Sequence, residues 1–243
     1  MTPLLATMPR RVIAELLGTA LLLAAVVGSG MMGERLSGGN AAIALLANTL
    51  ATGATLVTLI FTFGAVSGAH FNPAVTLADA SQGGMRWREV PGYIAAQAVG
   101  AMLGVWTAHL MFAEPILQVS QHVRVGGSQL FSEVVATFGL LSVIWGCGRL
   151  RTEAVPFAVG LYITGAYWFT ASTSFANPAV TLARAFTNTF AGIRPADVPG
   201  FMAAQLAGAF TATLLFRWLV PSLPKQARDV VVPHREQEVS HGR

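Results

Sequence analysis

The sequence predicts an all-α membrane protein, with six transmembrane helices and two re-entrant half-helices in an inverted three-plus-three repeat. Three observations carry that expectation. The 243-residue chain is 53% hydrophobic and only 11% charged, with a mean hydropathy of +0.59; soluble domains carry roughly 25% charged residues. Six apolar segments approach the ~20 residues that a membrane-spanning helix needs. Finally, the string NPAVTLA occurs twice, at 72–78 and 177–183, in stretches far too short to cross.

Taken in order, the spans are expected at 11–31, 40–63, 91–112, 130–149, 154–171 and 198–220. The first follows Pro9-Arg10-Arg11 and superficially resembles a signal peptide. It is longer than a usual h-region, lacks a clear small-residue cleavage site and carries Glu15, so it is expected to be retained. The NPAVTLA segments fall between spans two and three and between spans five and six. Short apolar segments at those places read as re-entrant half-helices. Residues 1–9 form a leading segment, and 221–243 a polar, proline-bearing tail expected to be mobile.

The repeat extends beyond the seven letters. AELLGTALLLAAVVGSG from Ala14 aligns with SEVVATFGLLSVIWGCG from Ser132, pairing Glu15 with Glu133 and Thr19 with Thr137. VPGYIAAQAVGA from Val90 aligns with VPGFMAAQLAGA from Val198, pairing Gln97 with Gln205 and Gly100 with Gly208. The repeated unit is thus 10–220, with repeat one at about 10–112 and repeat two at about 127–220. Three spans per half force the second copy upside down, and inverted repeats with broken helices place a site near the bilayer midplane.

Charge placement sets the orientation. With a cytoplasmic N-terminus, only Arg35, Arg124, Arg184 and Arg194 of the 15 basic residues fall outside, a clear positive-inside bias. Both termini are then cytoplasmic, in a multi-pass protein of the cell (inner) membrane whose constant partner is the lipid bilayer. The net charge of +4 and pI near 10 do not point to nucleic acid, because the basic residues lie scattered at segment ends without interleaved aromatics. The lone Cys147 excludes an internal disulfide and any multi-cysteine metal site. No cofactor, metal or catalytic cluster is expected.

The repeated segment has a physical reading. Asn is a preferred N-cap and Pro is favoured at the first helical position, so Asn72-Pro73-Ala74 and Asn177-Pro178-Ala179 read as helix starts. Two such starts meeting at the membrane centre each present about half a positive charge. That repels cations, while the Asn amides offer donors to a passing oxygen. Gly100-x-x-x-Gly104 and Ala204-x-x-x-Gly208 supply small faces for close helix crossing. The five tryptophans tend towards span ends, as an aromatic belt would.

These residues resemble the major intrinsic proteins, the aquaporins and aquaglyceroporins. The resemblance covers about residues 10–220. It rests on the paired NPA motifs, the HFNPAVT context, a Glu in each of spans one and four, and the inverted arrangement. It implies the aquaporin-like fold and a homotetramer with one pore per subunit, passing small neutral solutes passively. It also implies that Asn72 and Asn177 are the central donors and that Glu15 and Glu133 hold the re-entrant loops. His70 matches a histidine often found at the cytoplasmic side of the pore, though a packed, loop-bonding histidine fits as well.

The family's outer constriction uses four positions. Most members carry an arginine three residues after the second motif's Asn; here it is Val180. The others are Ser174, Thr52 (where water-selective members usually have a bulky aromatic) and a span-five residue. Two counts leave that residue as Tyr167 or Gly165. Losing the arginine removes up to five donors and a fixed cation, and losing the aromatic removes bulk. The filter is therefore expected to accept glycerol, urea or neutral metalloid hydroxides, with water not excluded. The string ANPAVTLARAFTNTFAGIRPADVPGF resembles bacterial members associated with arsenic resistance, which implies arsenite or organoarsenicals as candidate permeants.

Arg184 lies four residues beyond Val180, about 6 Å further out on nearly the same helix face. It is either a vestibule charge or a snorkelling interface arginine. Asp79 is its inverted counterpart or a solvated residue at a half-helix end. A secondary transporter of the same architecture and a water-selective aquaporin stay as alternatives, and a membrane enzyme is disfavoured because no catalytic cluster appears.

Overall fold

A computed structural model describes residues 6–150 and 152–220. The polar tail from Pro221 lies outside the described residues, as do the first five residues and Arg151. The chain forms α1 (Met8–Leu36), α2 (Ala41–Ser67), the short α3 (Pro73–Ser81), α4 (Val90–Phe112), α5 (Gly127–Leu150), α6 (Val155–Phe169), the shorter α7 (Pro178–Arg184) and α8 (Val198–Leu219). No strand occurs among the described residues.

Helix starts follow local chemistry. Asn40 caps α2, its side-chain oxygen accepting from the N–H groups of Ala42 and Ile43 at 3.0 and 3.3 Å. α2 stops at Gly68, which takes the left-handed conformation with φ of 89°, a conformation glycine adopts without a Cβ penalty. Prolines occupy the first turn of α1, α4, α6 and α8, where a missing N–H costs no hydrogen bond.

Five of the helices are long and apolar enough to cross a membrane, and the expected fifth span is the exception. α6 has 15 residues, roughly 22 Å of rise against the ~30 Å of a hydrocarbon core. It ends at Thr170, whose backbone turns extended and whose hydroxyl bonds the Ala166 carbonyl at 2.6 Å. The next residue, Ala171, donates its N–H to Ser132 Oγ at 3.1 Å, and the chain turns inward to feed the second motif.

Within each half the first and third long helices pack closely, α1 on α4 and α5 on α8. The small-residue faces make this possible. A Cβ on Gly100 would strike the Leu16 carbonyl, one on Gly104 the Ala20 carbonyl, and one on Gly208 the Val134 carbonyl. The halves meet through α2 against α6 and through the facing half-helices α3 and α7. Apolar side chains such as Leu110, Phe131, Leu161 and Phe210 point outward, as a lipid-facing surface requires. Trp87, Trp168 and Trp218 are exposed, but Trp145 is fully buried in the core, so it belongs to packing rather than to an aromatic belt.

Candidate functional site: a cavity through the two half-helix starts

Each motif asparagine is a helix cap with a second duty. Asn72 Oδ1 accepts from Ala74 N–H at 2.9 Å, and Asn177 Oδ1 from Ala179 and Val180 N–H at 3.0 and 3.3 Å. Each amide nitrogen then crosses to the opposite loop. Asn72 Nδ2 donates to the Ala176 carbonyl at 2.7 Å, and Asn177 Nδ2 to the Phe71 carbonyl at 2.8 Å. An amide nitrogen carries two donors, so one on each asparagine stays available to a solute, and both residues line the cavity.

The loops that enter the half-helices alternate in backbone conformation. Ala69, Phe71, Ser174 and Ala176 all have φ of 48–49°, and Thr173 has 61°, a left-handed region costing about 1–3 kcal/mol for a residue with a Cβ. Buried carboxylates hold the loops in it. Glu15 accepts from the backbone of His70 and Phe71 at 2.9 and 2.7 Å, from Ser67 Oγ at 2.7 Å and from Gln97 Nε2 at 2.8 Å. Glu133 accepts from the backbone of Phe175 and Ala176, each at 2.9 Å, and from Gln205 Nε2 at 2.6 Å. Gln97 and Gln205 also donate to Thr76 and Thr181 at 2.9 and 2.8 Å, so the two supports match by the inverted repeat.

One cavity joins the candidate residues. His70, Asn72, Asn177, Thr52, Tyr167, Ser174 and Val180 all line it. Facing this polar strip is an apolar wall that includes Leu22, Val26, Leu140, Ile144, Val159 and Ile163. That wall is visible in the sequence only as the helical spacing of those residues in spans one, four and five. Tyr167 donates its hydroxyl to Thr52 Oγ1 at 3.3 Å, so the aromatic that span two lacks is supplied by span five. Ser174 Oγ is buried with no hydrogen-bond partner among the described residues.

Other candidates fall elsewhere. Gly165 is exposed, lies outside the cavity, and an added Cβ there meets nothing within 4 Å; two residues along the helix, Tyr167 turns inward instead. Arg184 is only 2% exposed, which corrects the snorkelling alternative. Its Nε donates to the Ala191 carbonyl, and its guanidinium carbon lies 3.4 Å from the Phe175 ring centroid. Asp79 is also buried rather than solvated, 3.8 Å from His70 Nε2, and His70 Nδ1 lies 3.1 Å from Thr76 Oγ1. Arg124, expected only as an outer-side basic residue, also reaches this site. It comes in from the connection between α4 and α5, bonding the Gly192 and Ser172 carbonyls at 2.8 and 3.2 Å.

Known proteins resemble this chain in sequence and in fold. The family description "Major intrinsic protein" matches twice, over residues 5–164 and 146–242. The chain is 57% identical over 216 residues to the aquaglyceroporin AqpS of Rhizobium meliloti (strain 1021), covering 88% of this chain and 92% of that one. It is 31% identical over 214 residues to a probable NIP-type aquaporin of Nicotiana alata, covering 85% and 77%. Against the aquaporin NIP1-1 of Zea mays it is 34% identical and spans about half of that protein's length, 55%. Among solved structures, the aquaglyceroporin from Plasmodium falciparum superposes with a TM-score of 0.71 over 89% of this chain and 99% of that one. At 21% identity that likeness speaks for the fold alone.

Proposed function

The chain belongs to the major intrinsic protein family, and from that premise we propose that it is a passive transmembrane channel for small neutral solutes. The candidate permeants are glycerol-like polyols, urea and neutral metalloid hydroxides such as arsenite. The observation that supports this most is the shared cavity: Thr52, Tyr167, Ser174 and Val180 line it together with both motif asparagines. A solute hydroxyl meets donors from Asn72 and Asn177 and the unpartnered Ser174 Oγ on one side. Its carbon face meets the apolar wall on the other. Val180 keeps the wall narrow only by an isopropyl group, so polyols fit where a guanidinium would block them.

Charge is handled without a titratable relay. The two half-helix starts oppose cations at the centre through their dipoles, and Glu15 and Glu133 are engaged by loop backbone. No reaction is assigned to the site. The functional unit is 10–220, with repeats at about 10–112 and 127–220 and flanking segments 1–9 and 221–243. It sits in the cell membrane with both termini cytoplasmic, and assembles as a homotetramer with one pore per subunit.

The test is uptake by proteoliposomes under stopped-flow light scattering. Glycerol, urea and arsenous acid should each enter faster than into empty vesicles, in proportion to concentration. Saturating uptake that follows an imposed proton or sodium gradient would instead identify a coupled transporter.

A further inference from the structure

Seven residues past each motif asparagine, the two halves carry opposite charges, and both side chains return to the same relative place. In one half Asp79 Oδ2 lies 3.8 Å from Nε2 of His70, two residues before Asn72. In the other, the Arg184 guanidinium lies over Phe175, two residues before Asn177. The ring neighbours repeat too, with His70 and Tyr93 centroids 5.4 Å apart and Phe175 and Phe201 centroids 5.3 Å apart.

The halves differ in how their cations are balanced. Arg11, 5.2 Å from the Tyr93 centroid, is paired with Glu89 at 3.0 Å. On the other side two guanidinium groups share one ring, with Arg124 4.9 Å and Arg184 3.4 Å from the Phe175 centroid. Neither makes an ion pair among the described residues, and Arg184 Nη1 is buried without a hydrogen-bond partner. Burying unpaired cations side by side costs desolvation and repulsion. The ring face and the carbonyls of Ala191, Gly192 and Ser172 offset part of it. Both charges act on their surroundings. The pKa of His122, in the neighbouring connection, is lowered by partial burial and then by Arg124 and Arg184. The cavity-lining Tyr167 lies within electrostatic range of both.

We propose that Arg124 and Arg184, clamped on Phe175, form a displaced cation barrier at the outer mouth. Arg184 stands about one helical turn beyond Val180, Arg124 shares its Phe175 ring, and together they supply positive charge without narrowing the filter. The inference rests on the channel reading and goes beyond it. A wide, uncharged constriction sorts by size alone and admits small organic cations alongside polyols of similar bulk. A fixed field at the mouth removes them by charge.

Proteoliposomes carrying wild type, Arg124→Gln/Arg184→Gln, or Arg124→Lys/Arg184→Lys are compared for methylammonium and glycerol permeability, read as a ratio. The Gln pair is expected to raise the methylammonium-to-glycerol ratio roughly fivefold, as two unit charges acting across about 8 Å of water-like dielectric imply. The Lys pair should stay within about twofold of wild type, although it loses the guanidinium fork. A ratio unchanged in the Gln pair, or raised equally in the Lys pair, overturns the barrier and leaves the arginines as loop staples. Where the Gln pair does not fold, salt decides on wild type. Raising external salt from about 0.01 M to about 1 M shortens screening from roughly 30 Å to roughly 3 Å and should raise the ratio severalfold, whereas a flat ratio overturns the proposal. Wild-type vesicles impermeable to glycerol would contradict the channel reading itself, a separate result.

Discussion

At Val180 the cavity wall is an isopropyl group, while the residue's N–H is held by Asn177 Oδ1 at 3.3 Å. Backbone and side chain have separate places there, one in the helix cap and one in the cavity wall. At Glu133 the side chain is engaged by the loop backbone and by Gln205. Its two oxygens receive Phe175, Ala176 and Gln205, and all three are donors. Glu133→Gln turns one of those acceptors into a donor facing donors. It should lower stability by about 2–4 kcal/mol, measured by unfolding in detergent micelles. A change under about 0.5 kcal/mol would show that the left-handed loop holds itself. At this scale the sequence carried the asparagines, prolines and glutamates plainly, since each acts within its own loop or repeat. It could not carry the stacking of Arg124 on Phe175, 51 positions apart. That contact depends on the path of an irregular connection that no periodicity describes. Tyr167 and Gly165 were inseparable by counting, because the loop after α6 has a length that only its turn at Thr170 explains.

Among the elements, helix-to-helix distance is set where glycine removes a side chain. Gly100 and Gly104 lie against the carbonyls of Leu16 and Ala20, so α1 and α4 approach at backbone contact. Gly100→Leu should cost at least about 3 kcal/mol through overpacking, read as lost thermal stability in detergent. Gly165→Ala is the matched control, since its Cβ meets nothing within 4 Å. It should be neutral or stabilising by up to ~1 kcal/mol, with glycerol flux unchanged. A marked flux loss in that variant would return Gly165 to the filter and remove Tyr167 from it. The small-residue spacing made the close crossings readable in advance. The shortness of α6 was not, because Ala154 to Ala171 is uniformly apolar and the break comes from hydrogen bonds of Thr170 and Ala171 to Ala166 and Ser132.

For the whole molecule, inversion explains why one short segment appears twice and why its two copies diverge just beyond it. Two helix starts must come from opposite faces to meet, so the shared letters build the centre, where both halves need the same caps and the same carboxylate support. Just beyond the shared letters the copies part, with Asp79 beside His70 and Arg184 over Phe175. Letter-for-letter identity in the second copy is what places valine at position 180, so on the proposed channel reading the width of the filter and the symmetry of the centre have one origin. Charge is then expected further out, on Arg124 and Arg184, rather than at the constriction.

The central claim, a neutral-solute channel widened at Val180, is tested most directly by stopped-flow glycerol and water permeability of wild type and Val180→Arg in the same proteoliposomes. The substitution should lower glycerol permeability by about tenfold or more, a difference of roughly 1.4 kcal/mol at the narrowest point, while retaining most of the water flow. Equal glycerol permeability in a folded Val180→Arg protein would contradict the account, because the constriction would then lie elsewhere in the cavity.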